Sequence, residues 1–268
     1  MKPIFSTLYK LRMKLERKDF AINKRNFTDK VKTYLGLLRG YLCYAKGHVM
    51  HKGDYRPFIL GVRVDFDIWP GAIITLIGKN DSKKVINPAN RYFPTASSIG
   101  VSPPYDHMNP PTVNSTRVRL REGAKLILDQ NTSILIGSYI AVGPNKTLSI
   151  GSETEINHGV MINTICGLEI GKNVMIANGA VIMDYDGHPV FSFGQDKQKD
   201  TYAGNAKPIK IEDNVWIGTR ATILKGVTLG SGSIVAANSC VSFDVPSNSI
   251  VGGNPARVIK ENHSWRKY

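Results

Sequence analysis

One histidine stands where acid–base chemistry could be done. His188 lies in the run MDYDGHPV, with Asp184 and Asp186 just before it. An imidazole, with an ordinary pKa of about 6.5, can take the proton of a hydroxyl as that hydroxyl attacks a carbonyl. A carboxylate beside it could orient the ring or stabilise its charge, and Asp186 is the favoured partner. His48, His51, His107 and His263 have no comparable surroundings, and His158 sits beside Asn157 in INHGVM. Residues 87–115 are rich in proline, asparagine and serine and read as a long loop. That loop holds Tyr92, Tyr105, Asp106 and His107, which could line an acceptor site.

The cysteines offer less. Cys43, Cys166 and Cys240 are odd in number, widely spaced and without a CxxC pair. That argues against a disulfide framework and a structural zinc site, and no metal is expected. Cys166 and Cys240 read as small packing residues.

What carries His188 is visible as a repeat. From Ile211 the chain divides into IEDNVW, IGTRAT, ILKGVT, LGSGSI, VAANSC and VSFDVP. An aliphatic residue opens each hexapeptide, and the fifth place holds Val215, Ala221, Val227, Ser233, Ser239 and Val245. The period recurs from Ile170, from Ile150 and, more weakly, from Leu128. A period of six fits neither an α-helix nor a two-faced strand. It fits a coil of three short flat faces, with the aliphatic residue inward and the small fifth residue near a corner. Stacked coils would share parallel hydrogen bonds about 4.8 Å apart and build a core that no single coil could form. The expected fold is an all-β solenoid, a left-handed parallel β-helix. Residues 183–207 interrupt the coil before the repeat resumes at Ile211, and 186–207 are expected to be an extruded loop with His188 at its root.

Three blocks, GKNVMIANGAVIMDYDGHPV, NVWIGTRATILKGVTLGSGSIVAANSCVSFDVP and VGGNPARVIKE, carry a resemblance to the hexapeptide-repeat acyltransferases. The likeness is to the maltose, galactoside and xenobiotic acetyltransferases and to bacterial polysaccharide O-acetyltransferases. It implies acetyl-CoA as acyl donor, direct transfer to a hydroxyl, and a homotrimer with active sites between subunits. The histidine of the His-Pro pair is then the general base, His188. Asn157 matches an asparagine near the acceptor. Trp216 matches a tryptophan near donor and acceptor. Gly218 and Thr219 fall where the pantetheine arm meets backbone, and Ala236 and Ala237 keep that wall shallow. Arg257 and Lys260 match positions that meet the coenzyme A phosphates. Two departures stand out. A threonine-lysine pair is replaced by Ser242 and Phe243, leaving Ser242 as the donor-side residue, and the galactoside enzymes' supporting glutamate corresponds to Ala203.

The remaining chain sets the context. With 42% hydrophobic and 21% charged residues it reads as globular. Of the net charge of +14, residues 1–52 supply thirteen lysines and arginines against three acids, a balance of +10. This basic segment is expected to form amphipathic helices that cap the first coil, touch a membrane surface peripherally, or meet an acidic glycan. No nucleic acid is expected as partner. Residues 53–127 are expected to hold irregular first coils and the long loop, 128–250 the β-helix and 251–268 a tail. No secretory signal or membrane span is read, so a cytoplasmic location is expected. The expected reaction is O-acetylation of a sugar or capsule-type polysaccharide. Alternatives are a xenobiotic or antibiotic O-acetyltransferase, an amino-sugar N-acetyltransferase, and a non-catalytic scaffold.

Overall fold

The computed structural model describes residues 49–53, 58–60, 64–78, 97–101, 116–188 and 205–267. The expected N-terminal helices, the loop residues Tyr92, Tyr105, Asp106 and His107, Cys43, His48 and most of the extruded loop, including Ala203, lie outside them.

The described chain runs coil by coil. The first coil is β1 (Val49–Gly53), β2 (Phe58–Leu60) and β3 (Val64–Ile68), and the second is β4 (Ile73–Gly78), β5 (Ser97–Val101) and β6 (Thr116–Leu120). The third is β7 (Lys125–Leu128), β8 (Ser133–Leu135) and β9 (Tyr139–Val142), and the fourth is β10 (Thr147–Ile150), β11 (Glu155–Ile156) and β12 (Met161–Thr164). The fifth is β13 (Leu168–Ile170), β14 (Met175–Ile176) and β15 (Val181–Met183), and the sixth is β16 (Ile209–Ile211), β17 (Trp216–Ile217) and β18 (Thr222–Ile223). The seventh is β19 (Thr228–Leu229), β20 (Ile234–Val235) and β21 (Cys240–Val241), after which β22 (Ile250–Gly253) and β23 (Ala256–Lys260) close the chain as a hairpin. Each coil gives one strand to each of three sheets, and all neighbours are parallel except β22 with β23. The fold is a left-handed parallel β-helix, as the repeat predicts.

The hexapeptide rule holds at the level of side chains. Ile134, Ile156, Ile176, Ile217, Val235 and Val251 stack in register on the second face and are all fully buried. Ile140, Ile162, Ile182, Ile223 and Val241 do the same on the third. The fifth-place residues from Val215 to Val245 are buried too, because the corner there is tight. Removing one such isoleucine to alanine should cost about 2–5 kcal/mol.

Corners repeat as well. Where the first face turns into the second (edge 1), Asn131, Glu153, Asn173, Asn214 and Asn248 take positive φ between 51° and 62°. Asparagine tolerates this left-handed region better than most residues. Asn173 also donates its side-chain amide to Asn214 on the next coil at 2.8 Å.

The regular prism starts earlier than the sequence indicates. Parallel pairing begins at β1, whose residues 49–52 fall within the segment expected to be helical. Residues 79–96 and 102–115 separate the rungs of the second coil, and those long separations hide the period of six.

Candidate functional site

The extruded loop leaves the prism where the third face turns into the first (edge 3). β15 ends there and Asp184 follows, 1% exposed. Its carboxylate accepts the Thr164 hydroxyl at 2.5 Å and the backbone N–H groups of Ile165 and Cys166, each at 2.9 Å. A buried carboxylate needs such donors, and here they come from the corner one coil earlier. The Asp184 carbonyl also accepts the N–H of Lys207 at 2.9 Å, and the Lys207 carbonyl accepts that of Gly226 at 3.0 Å. The two ends of the loop are thus clasped on each other and on the following coil. Nearby, Asn163 donates to the Tyr185 hydroxyl at 2.6 Å.

His188 stands exposed on this anchored root. Asp186, expected beside the imidazole, holds the ammonium of Lys225 instead. Asp184, the alternative, is turned into the coil. Thr164 and Lys225 are the neighbours that sequence reasoning missed. Only the coil offset could have revealed them, since they lie one coil before and one after the loop. Burial pushes the Cys166 thiol upward, and Asp184 adds to the effect. That fits a packing residue and not a nucleophile.

Several of the residues expected on the donor side, with Asn157, share another edge. Where the second face turns into the third (edge 2), the Asn157 N–H donates to Ile176, that of Ala177 to Ile217, that of Gly218 to Val235 and that of Ala236 to Val251, all at 2.8 Å. Asn157, Gly218 and Ala236 are therefore one column, with Thr219 and Ala237 next along the turns. A Cβ on Gly218 would lie 2.7 Å from the Ala237 nitrogen and the Val235 oxygen, so only glycine fits. The result is a wall of backbone with little side chain, suited to an extended arm that hydrogen-bonds to peptide groups. Asn157 is half-buried and its carbonyl accepts the Ser138 hydroxyl at 3.0 Å. His158 is buried and bonded through Nδ1 to the Ile136 carbonyl at 3.2 Å, a structural placement.

Trp216 projects outward from the second face at 39% exposure, and its ring meets that of Trp265 with centroids 6.0 Å apart. Arg257 and Lys260 are exposed on β23, where they could meet phosphates. Ser242 is separate from them. It follows β21, on edge 3. One chain therefore carries His188, Asp186 and Ser242 on one edge, Asn157, Gly218, Thr219, Ala236 and Ala237 on another, and Trp216 on the face that leads into the second of these. Among the described residues no three His, Cys, Asp or Glu side chains converge as metal ligands. Nor is any helix among them long and apolar enough to cross a membrane.

Comparison with known proteins agrees with this architecture. The family described as "Bacterial transferase hexapeptide (six repeats)" matches residues 208–242. A galactoside O-acetyltransferase of Escherichia coli K12 is 32% identical over 164 residues, covering 61% of this chain and 77% of the relative. A polysialic acid O-acetyltransferase of Escherichia coli O1:K1 is 36% identical over 131 residues, 49% of this chain. The chain spans 39% of the length of that second relative. The crystal structure of the polysialic acid O-acetyltransferase OatWY superposes with a TM-score of 0.50 at 21% identity, over 82% of this chain and 92% of that one. That likeness concerns the fold.

Proposed function

The chain belongs to the hexapeptide-repeat acetyltransferases, and from that premise we propose that it transfers acetyl from acetyl-CoA to a hydroxyl of a sugar or polysaccharide, with His188 as general base. The observation that carries this reading is the root of the extruded loop. A buried carboxylate, Asp184, spends three hydrogen bonds holding a turn whose outcome is an exposed imidazole. A scaffold would have no use for that arrangement.

The donor supplies an already activated thioester, so no covalent enzyme intermediate is needed. His188 takes the acceptor hydroxyl's proton as the oxygen attacks, and returns it to the leaving thiolate. Gly218, Thr219, Ala236 and Ala237 offer the donor a flat backbone wall, Trp216 flanks it, and Arg257 and Lys260 face its phosphates. Asn157 faces the acceptor. The departure at Ser242 and Phe243 removes a cation that the resemblance assigns to the phosphates, and Ser242 lies on edge 3, apart from Arg257 and Lys260. Asp186 is held by Lys225 and Asp184 by the preceding coil, so neither of these two carboxylates is assigned the orienting of His188.

Base and donor wall sit on different edges of one prism, so a single chain presents half a site on each. A homotrimer, with edge 3 of one copy against edge 2 of the next, brings the halves together. The basic segment 1–52 favours an acidic glycan or a peripheral membrane contact, in a cytoplasmic protein. The competing acceptors, a xenobiotic hydroxyl or an amino sugar, share every donor contact and differ only at the acceptor.

The test is His188→Ala, assayed by thiol release across a panel of carbohydrate acceptors. Transfer should drop by about 10²–10⁴-fold while coenzyme A still binds. Wild-type turnover in that variant would end the proposal.

A further inference from the structure

We propose that Trp265, in the C-terminal tail, is a positioning residue for the acyl donor, acting by fixing the indole of Trp216. The proposal rests on the reading that Trp216 flanks the donor. It adds a residue outside the repeat to which the resemblance assigns no role.

After β23 the tail turns back across the prism. The His263 N–H donates to the Asn248 carbonyl at 2.8 Å. The Trp265 indole N–H donates to the Asn214 carbonyl at 2.6 Å, and the Lys267 ammonium to the Glu153 carbonyl at 2.8 Å. Lys267 also lies 3.4 Å from the Glu155 carboxylate, and both side chains of that pair are largely buried. The three acceptors are left-handed corner residues of edge 1. Residues 263, 265 and 267 alternate in an extended chain, so their side chains share one face. The strap climbs about one rung per residue, since rung spacing and extended rise differ by only about 1.5 Å. It joins the last coils to the fourth.

Its consequence is local to Trp216. Asn214, which holds Trp265, is in the same turn as Trp216, two residues before it. The two rings meet at 6.0 Å with a tilt of 48°, within the range of favourable aromatic contacts. In register beside Trp216 on the second face stand Met175 and Ile234, both aliphatic, so Trp265 is the aromatic partner that the tail adds. Without Trp265 the indole would have one open side and several rotamers. With it, the ordering cost is met before the donor arrives. Lys267 and its carboxylate anchor hold the far end of the strap and so keep Trp265 seated.

The measurement is calorimetric titration of coenzyme A into the full chain and its variants. Trp265→Ala should bind about fivefold more weakly, with thermal unfolding close to wild type, because no core residue is touched. Trp265→Phe keeps a ring and should restore affinity to within about twofold. Trp216→Ala serves as the reference, and adding Trp265→Ala to it should cost nothing further. Wild-type or tighter binding by Trp265→Ala, beside a weakened Trp216→Ala, overturns the positioning role alone. Additive losses in the double variant overturn it as well. Wild-type affinity in Trp216→Ala sinks the donor reading and this inference together.

Discussion

Edges 2 and 3 of the prism are built by opposite rules. Edge 2 is made of what is missing: Gly218, Ala236 and Ala237 hold the turns with almost no side chain, and coil rests on coil through backbone hydrogen bonds. Edge 3 is made of what is added: a loop leaves the coil, and Asp184, Thr164, Lys207 and Lys225 secure its root. Edge 2 has the flatness that an extended ligand would need. Edge 3 departs from the repeat without disturbing it, as a presented side chain would require. A repeat supplies rigidity cheaply, whereas chemistry requires a local exception with its own anchor.

Breaking the anchor should have the largest effect. Asp184→Ala leaves two N–H groups and a hydroxyl without their buried acceptor, at a cost of about 3 kcal/mol. Urea unfolding reads that loss, and transfer should fall with it because the loop root is freed. Next comes the flat wall. Gly218→Ala drives a methyl against backbone at 2.7 Å and should cost about 2 kcal/mol while weakening coenzyme A binding. If it binds coenzyme A normally, edge 2 is not the donor wall. Lys225→Met removes the partner of Asp186. The pair is partly exposed, so stability should change by less than about 1 kcal/mol. Its use is kinetic: unchanged transfer would show that the ion pair does not serve His188.

Edge 1 holds none of the expected site residues and carries only the tail strap, and one of its side chains has a signature in pH. Burial holds the Glu153 carboxyl above its ordinary value of 4.5, against the lowering by Asn131 and Lys267. The folded protein then keeps this proton more tightly than the unfolded chain, so stability falls as pH rises from 4.5 through the raised value. Glu153→Gln should flatten that part of a stability profile, measured by thermal unfolding at stepped pH, and leave transfer unchanged.

Period six made the core legible from Leu128 onward, because each inward aliphatic recurs at a fixed interval and burial follows from that alone. The interruption over residues 183–207 likewise marked where the chain leaves the coil, with His188 near that point. Contacts between coils were not legible in the same way. Thr164 and Asp184 lie twenty residues apart, Asp186 and Lys225 thirty-nine, and Trp216 and Trp265 forty-nine, with insertions of unequal length between.

The amino-acid pattern by itself determined the kind of coil and the residues facing its axis, since these depend on local spacing and on one repeated packing rule. Tertiary structure decided which edge each candidate site residue occupies, that Asp186 goes to Lys225, and that the tail returns to Trp216. Those outcomes depend on how many residues each turn and loop consumes before the chain comes round again, and that sum is settled only when the coils stack.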